Sequence, residues 1–147
     1  MEADVATGLW RRLFGRKGPE PLDPSRTDLV VVASSFDHAE ACSAALSRAT
    51  GFDADAPAVL RHHLRIPAAH RERVCEIAAQ DGYAPDQHLD ASDAGALAPL
   101  ILRRVQIVDA LHCSQERSRM AGLAQRHDGF ADGWDALQPG IAAGPRE

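Results

Sequence analysis

The sequence predicts an α+β fold, a ferredoxin-like two-layer sandwich whose helices pack on one face of a mainly antiparallel sheet while the other face stays open. Two observations carry this. A strand pattern, a helix pattern and a glycine followed by an aromatic recur along the chain. They fall at 29–34, 37–49 and Gly51-Phe52, at 59–66, 68–80 and Gly82-Tyr83, and at 100–108, 116–127 and Gly129-Phe130 with Gly133-Trp134. The copies stand roughly 30 to 45 residues apart without close sequence identity, which marks a repeated supersecondary unit and not a solenoid. In addition, 147 residues are too few for a doubly wound sheet covered on both faces.

Residues 1–27 read as a basic amphipathic leader and a Pro-rich linker, 28–138 as the folded domain and 139–147 as a disordered tail. In the leader, Leu9 and Leu13 stand one helical turn apart beside Trp10 and Phe14. Arg11, Arg12, Arg16 and Lys17 fill the remaining positions, as in short helices that lie on anionic membranes or dock on a partner. So short a helix does not hold in water alone, and a tail docking on its own domain fits it too. Pro19, Pro21 and Pro24 then block helix and sheet pairing.

The domain opens with the β-branched run Leu29-Val30-Val31-Val32-Ala33, read as a strand covered on both faces or placed centrally. Asp37 and Glu40 have capping-box spacing, so a helix is expected at once, burying Ala39, Cys42, Ala45, Leu46 and Ala49 and ending at Gly51. In the second strand, Val59–Ile66, alternation sends Leu60, His62, Leu64 and Ile66 to the core and Val59, Arg61, His63 and Arg65 outward. Pro67 opens a helix with Val74, Ile77 and Ala78 buried, and Asp81-Gly82 stops it. Residues 85–98 read as an Asp- and Ala-rich loop, with a short edge strand beginning near Tyr83. In the third strand, 100–108, Arg104 and Gln106 are expected to point away from the core. The last helix buries Met120, Leu123, Ala124 and His127, and its Gly122 suggests a close approach. Two Asp-Gly turns follow, pinned by Phe130 and Trp134.

Composition bounds the function. With 45% hydrophobic residues the chain can bury a core, and a formal charge of -5 argues against a general nucleic-acid binder. Cys42, Cys75 and Cys113 fit neither a disulfide framework nor a zinc spacing. No apolar run is long enough to span a bilayer and no signal core stands at the N-terminus, so a cytoplasmic protein is expected. His62 and His63 project to opposite faces and cannot easily share a metal, and His112-Cys113 has no evident orienting carboxylate. The acids of the 86–93 loop read as solvated, and no phosphate loop follows a strand. Neither a catalytic site, nor a metal, nor a cofactor is expected. Trp134 reads as an anchor of its turn to the core or as a binding hot spot.

His62-His63-Leu64, Gly82-Tyr83, the acidic loop with Asp86, Asp90 and Asp93, the strand from Ile101, and Asp132-Gly133-Trp134 together resemble the ribonuclease E activity regulator B family, the RraB family of ribonuclease E inhibitors, over residues 37–137. Ala131 stands where that pattern has Tyr, and the first strand and basic leader look like additions. The resemblance implies a non-enzymatic regulator that binds a ribonuclease E-type endoribonuclease or its associated assembly and modulates RNA decay, and the net negative charge argues against direct RNA binding. The resemblance also implies His63, Asp132, Gly133 and Trp134 as contacts. Two other classes fit the residues: a small α+β enzyme or ligand-binding module of dimeric-barrel type, and a membrane-surface adaptor using residues 8–17.

Overall fold

The structure, a computed structural model, describes residues 21–86 and 97–140. The leader residues Leu9 to Phe14, the loop acids Asp90 and Asp93 and residues 141–147 lie outside the described residues. In chain order the elements are β1 (Leu29–Ser35), α1 (Cys42–Ser47), β2 (Pro57–Ile66), a 3-10 turn (Ala68–His70), α2 (Arg71–Ala79), β3 (Ala84–Pro85), β4 (Ala98–Ile107), α3 (Ala110–Arg126) and β5 (Phe130–Pro139).

Among the described residues, the strands form one antiparallel sheet in the order β1-β5-β2-β4-β3, with three α-helices, as the α+β reading expects. From β2 onward the connectivity is βαββαβ with β2 between β5 and β4, the split arrangement compatible with a ferredoxin-like core. The run 29–33 is not central. β1 is an edge strand beyond β5, and Val30 and Val31 are about half exposed. An uninterrupted apolar run does not by itself reveal where its strand sits in the sheet.

The largest departure is β5 itself. Residues 130–139 form a ten-residue strand between β1 and β2, where the sequence suggests Asp-Gly turns and a tail. Gly, Asp and Pro are poor strand formers, so pairing on both sides overrides local propensity. Pro139 still pairs with Leu29, and the Gly140 N–H donates to the Asp28 carbonyl at 2.8 Å. The Asp37 to Glu40 segment is a turn and not a first helical turn. Asp37 Oδ1 accepts from the Ala39 N–H at 2.9 Å, while the Glu40 carboxylate turns away to Ser35 Oγ and Arg48, leaving α1 only six residues.

The two longer helices stop by the same device shifted by one residue. After α2, Gly82 takes φ +86° and the Tyr83 N–H reaches back to Ala78 O at 3.1 Å. After α3 it is Asp128 that takes φ +65°, and the Gly129 N–H reaches Ala124 O at 2.8 Å. Gly129 is needed for room, because a Cβ there would lie 2.1 Å from the Arg65 carbonyl oxygen. Gly122 has no such tight neighbour; a Cβ would meet only the tip of the Arg126 side chain at 3.2 Å.

Helices cover one face of the sheet and build two apolar clusters. One gathers Val32, Cys42, Ala45, Leu60, Val108, Cys113, Trp134 and Ala136 beneath α1 and the start of α3. The other gathers Leu64, Ile66, Val74, Ala78, Tyr83, Leu100, Leu102, Met120 and Leu123 beneath α2 and the end of α3. Leu60 and Leu64 flank His62 on β2, and Cys113 and Met120 flank Glu116 on α3, so a polar pair sits at the seam between clusters. Phe130, expected to pin the chain, is 45% exposed, and His127 is only half-buried, its Nδ1 bonded to the Leu123 carbonyl at 2.9 Å.

Candidate functional site on the open face of the sheet

The face on which no helix lies among the described residues is built by alternation on three neighbouring strands. β2 presents Arg61, His63 and Arg65, β5 presents Gly133 and Asp135 opposite them, and β4 presents Ile101 and Arg103. At its centre Asp135 is 4% exposed and is held by two side chains through three contacts. The Arg61 guanidinium grips it as a fork, Nε to Oδ1 and Nη2 to Oδ2 both at 2.7 Å, and His63 Nε2 meets Oδ2 at 3.1 Å. Arg61 Nη1 also reaches Asp86 Oδ2 at 3.3 Å. Burial pushes the Asp135 carboxyl up, but the hydrogen bonds from Arg61 and His63 outweigh it and hold the group below its ordinary value. Arg61 is correspondingly raised, first by its bond to Asp135.

Around this ionic centre the surface turns aromatic. Phe36 stands edge-on to His63 with ring centroids 5.1 Å apart, and it is 52% exposed. Gly133 makes room for it, since a Cβ there would come within 2.5 Å of both the Phe36 ring and the Ser35 carbonyl. The register between β2 and β5 shifts at His63/Leu64, a bulge that frees Asp132. Its carboxylate takes Arg65 Nε at 2.9 Å, and its carbonyl meets His38 Nε2 at 3.3 Å. At the far end, residues 21–28 lie along the sheet: Leu22 is buried and Arg103 Nη1 donates to the Pro24 carbonyl at 3.4 Å. A groove of about 720 Å³ runs between that segment, Val59, Arg61, Asp86 and Arg103.

Directly behind, on the helix face, lies a second polar group of residues. The Tyr83 hydroxyl donates to Glu116 Oε1 at 2.7 Å and stands 3.5 Å from His62 Nε2. Arg104 lies over the Tyr83 ring at 4.5 Å, and Arg104 and Arg119 approach the Glu116 carboxylate at 3.6 and 3.3 Å. The sequence reading therefore has Arg104 and Gln106 on the wrong side. Register pairs Arg104 with Leu60, which turns it inward, where Nη1 also bonds the Asp81 carbonyl at 2.8 Å and Nη2 holds Gln106 Oε1 at 2.7 Å. Burial drives the His62 ring down to about 4, so it is neutral.

Of the residues expected at a contact, His63, Asp132 and Gly133 come together at the β2/β5 bulge. Trp134 does not join them on the surface. It pairs with His62 across the strands, is fully enclosed, and belongs to the core cluster, the anchoring role also read from sequence. His112 and Cys113 separate as well. Asp109 supplies the orienting carboxylate, Oδ2 to His112 Nδ1 at 2.8 Å, but Cys113 faces the core, where burial, then Cys42, push its thiol up. Sequence reasoning misses Arg61, Asp135, Phe36 and the Tyr83–Glu116 pair. Arg61 was legible as outward-facing, but its partner becomes visible only once 130–139 is known to be a strand.

Among the described residues, helices cover one face of this α+β sheet, and the other is charged at its centre with exposed aromatic rings beside it. A family profile described as regulator of ribonuclease activity B matches residues 27–136, and the chain belongs to that family. Among curated proteins and among solved structures, none matches.

Proposed function

We propose that this protein acts by binding a ribonuclease E-type endoribonuclease through the open face of its sheet, lowering RNA decay without cleaving RNA itself. The observation that carries the reading is the bare face itself, where a held charge network, Arg61, His63 and Asp135, is flanked by the exposed rings of Phe36 and Phe130. Buried aromatics beside oriented charges are what protein interfaces use as anchors. The chain's net charge of -5 favours a basic protein segment over RNA as the partner. Trp134 contributes by fixing β5, and not by contact. No helix among the described residues is long and apolar enough to cross a membrane.

The test measures binding to a purified ribonuclease E-type enzyme by calorimetry, alongside inhibition of its RNA cleavage. The charge-introducing double variant Phe36→Glu with Phe130→Glu is compared with Leu111→Glu, an exposed site on α3. Loss of binding in the first variant alone supports the open face. Equal loss in both, or RNA turnover by the purified wild-type protein, sinks the reading.

A further inference from the structure

We propose that the cavity between α3 and β5 is a binding site for a small, mainly apolar aromatic molecule carrying one N–H or O–H donor. It borders the open-face site at Gly133 and His38, but its other walls, His62 and the α3 residues Arg117, Ser118 and Ala121, stand on the helix side of the sheet. The cavity measures about 240 Å³ and is lined by His62, Arg117, Ser118, Ala121, Ala131 and Gly133 among others. An apolar cavity of about 150 Å³ suffices to hold benzene, so a two-ring molecule is the right size here.

The donor requirement comes from His62, which is 1% exposed and forms part of the cavity wall. Its ring makes one hydrogen bond among the described residues, through Nε2 to the Tyr83 hydroxyl at 3.5 Å. Tyr83 spends its only proton on Glu116, 2.7 Å away, so the hydrogen in the Tyr83–His62 contact must come from Nε2. Nδ1 is then an acceptor with no partner among the described residues, in a wall that combines Ala121, Ala131 and Gly133 with the polar His38, Arg117 and Ser118. Burial keeps the ring neutral, so the acceptor is available at ordinary pH.

The preference for an aromatic comes from Arg117. Its guanidinium is fixed by the carbonyls of Glu40 at 2.6 Å and Asp37 at 2.8 Å, and no carboxylate lies within ion-pair distance among the described residues. A guanidinium held in place by carbonyls, with the Glu40 carboxylate felt only beyond ion-pair contact, stands at the side of a small, mainly apolar cavity and suits the face of a π-system.

The experiment titrates the full chain with indole and with N-methylindole, which has the same shape and no donor, following the imidazole nitrogen signals by NMR. Indole is expected to move the His62 signals and to bind about ten-fold more tightly than N-methylindole, one hydrogen bond's worth of discrimination. Ala121→Phe fills the cavity from the exposed side of α3 and is expected to abolish the shift while circular dichroism and melting stay unchanged. Equal binding of the two compounds, shifts that persist in Ala121→Phe, or no shift at millimolar indole would each overturn the proposal.

Discussion

On the helix side of β2, His62 sits 1% exposed beside Tyr83 with Glu116 and Arg104 behind, while one residue further His63 stands on the open side against Asp135, with Phe36 at its edge. The two groups share a strand and similar chemistry, a histidine, a carboxylate and an arginine each. They differ in what surrounds them. The inner group lies at the seam of two apolar clusters, where an unpaired polar atom is costly, so its hydrogen bonds act on stability. The outer group keeps its carboxylate buried but leaves Arg61 and His63 side chains each 21% exposed, so its charge can be met from outside. A histidine's role here follows from the side of the pleat it occupies.

Substitutions can break this contrast, beginning with the largest effect. Trp134→Ala, at the position paired with His62, should cost about 3 to 5 kcal/mol by urea unfolding, since a large ring leaves a cavity in the core. A loss under about 1 kcal/mol would mean that the inner side is not packed as described.

The next effect is a pH dependence that belongs to the inner side. The His62 pKa falls from 6.5 unfolded to about 4 folded, so the unfolded chain binds the proton first and stability drops as pH falls through that window. The drop should reach about 3 kcal/mol between pH 6.5 and 4, and His62→Phe should flatten it, as read from melting temperature against pH. An unchanged slope in His62→Phe would assign the titration elsewhere.

Asp135→Asn sharpens the outer side. Its folded pKa is depressed, so its stabilisation is present above the unfolded value near 3.9 and is lost as pH falls through the folded one. The variant should lose about 2 kcal/mol at neutral pH, reduced from the fully buried figure because Arg61 is partly solvated, and should show a weaker acid transition below pH 4. The smallest effect is expected for Arg65→Ala, which breaks a surface pair with Asp132 and should change stability by less than about 1 kcal/mol. If that variant weakened ribonuclease binding while leaving stability intact, the bulge would be placed within the contact.

Much of the inner architecture is readable from periodicity. The alternation Leu60, His62, Leu64, Ile66 and the stripe Met120, Leu123, Ala124 are local patterns, and all seven residues are buried as expected. The Gly82 stop is also local, because a left-handed residue after a helix favours Gly whatever the fold, whereas Gly129 answers to the approach of Arg65 from β2. The outer site is another matter. Asp132-Gly133 looks like a turn, and the Arg61–Asp135 fork joins residues 74 apart in sequence.

What this sequence determined by itself was the family motif, the helices α2 and α3, and which face of β2 is dry. The helices and the dry face follow from spacing within one element, and the motif from the order of short elements over residues 37–137. Tertiary structure alone decided that 130–139 is a strand inserted between β1 and β2, that β1 is an edge, that Arg104 turns inward, and that Trp134 is sealed from the surface. Those outcomes depend on which strand pairs with which and in what register. Such pairing is set by the summed hydrogen bonds and burial of distant segments, so no local pattern encodes it.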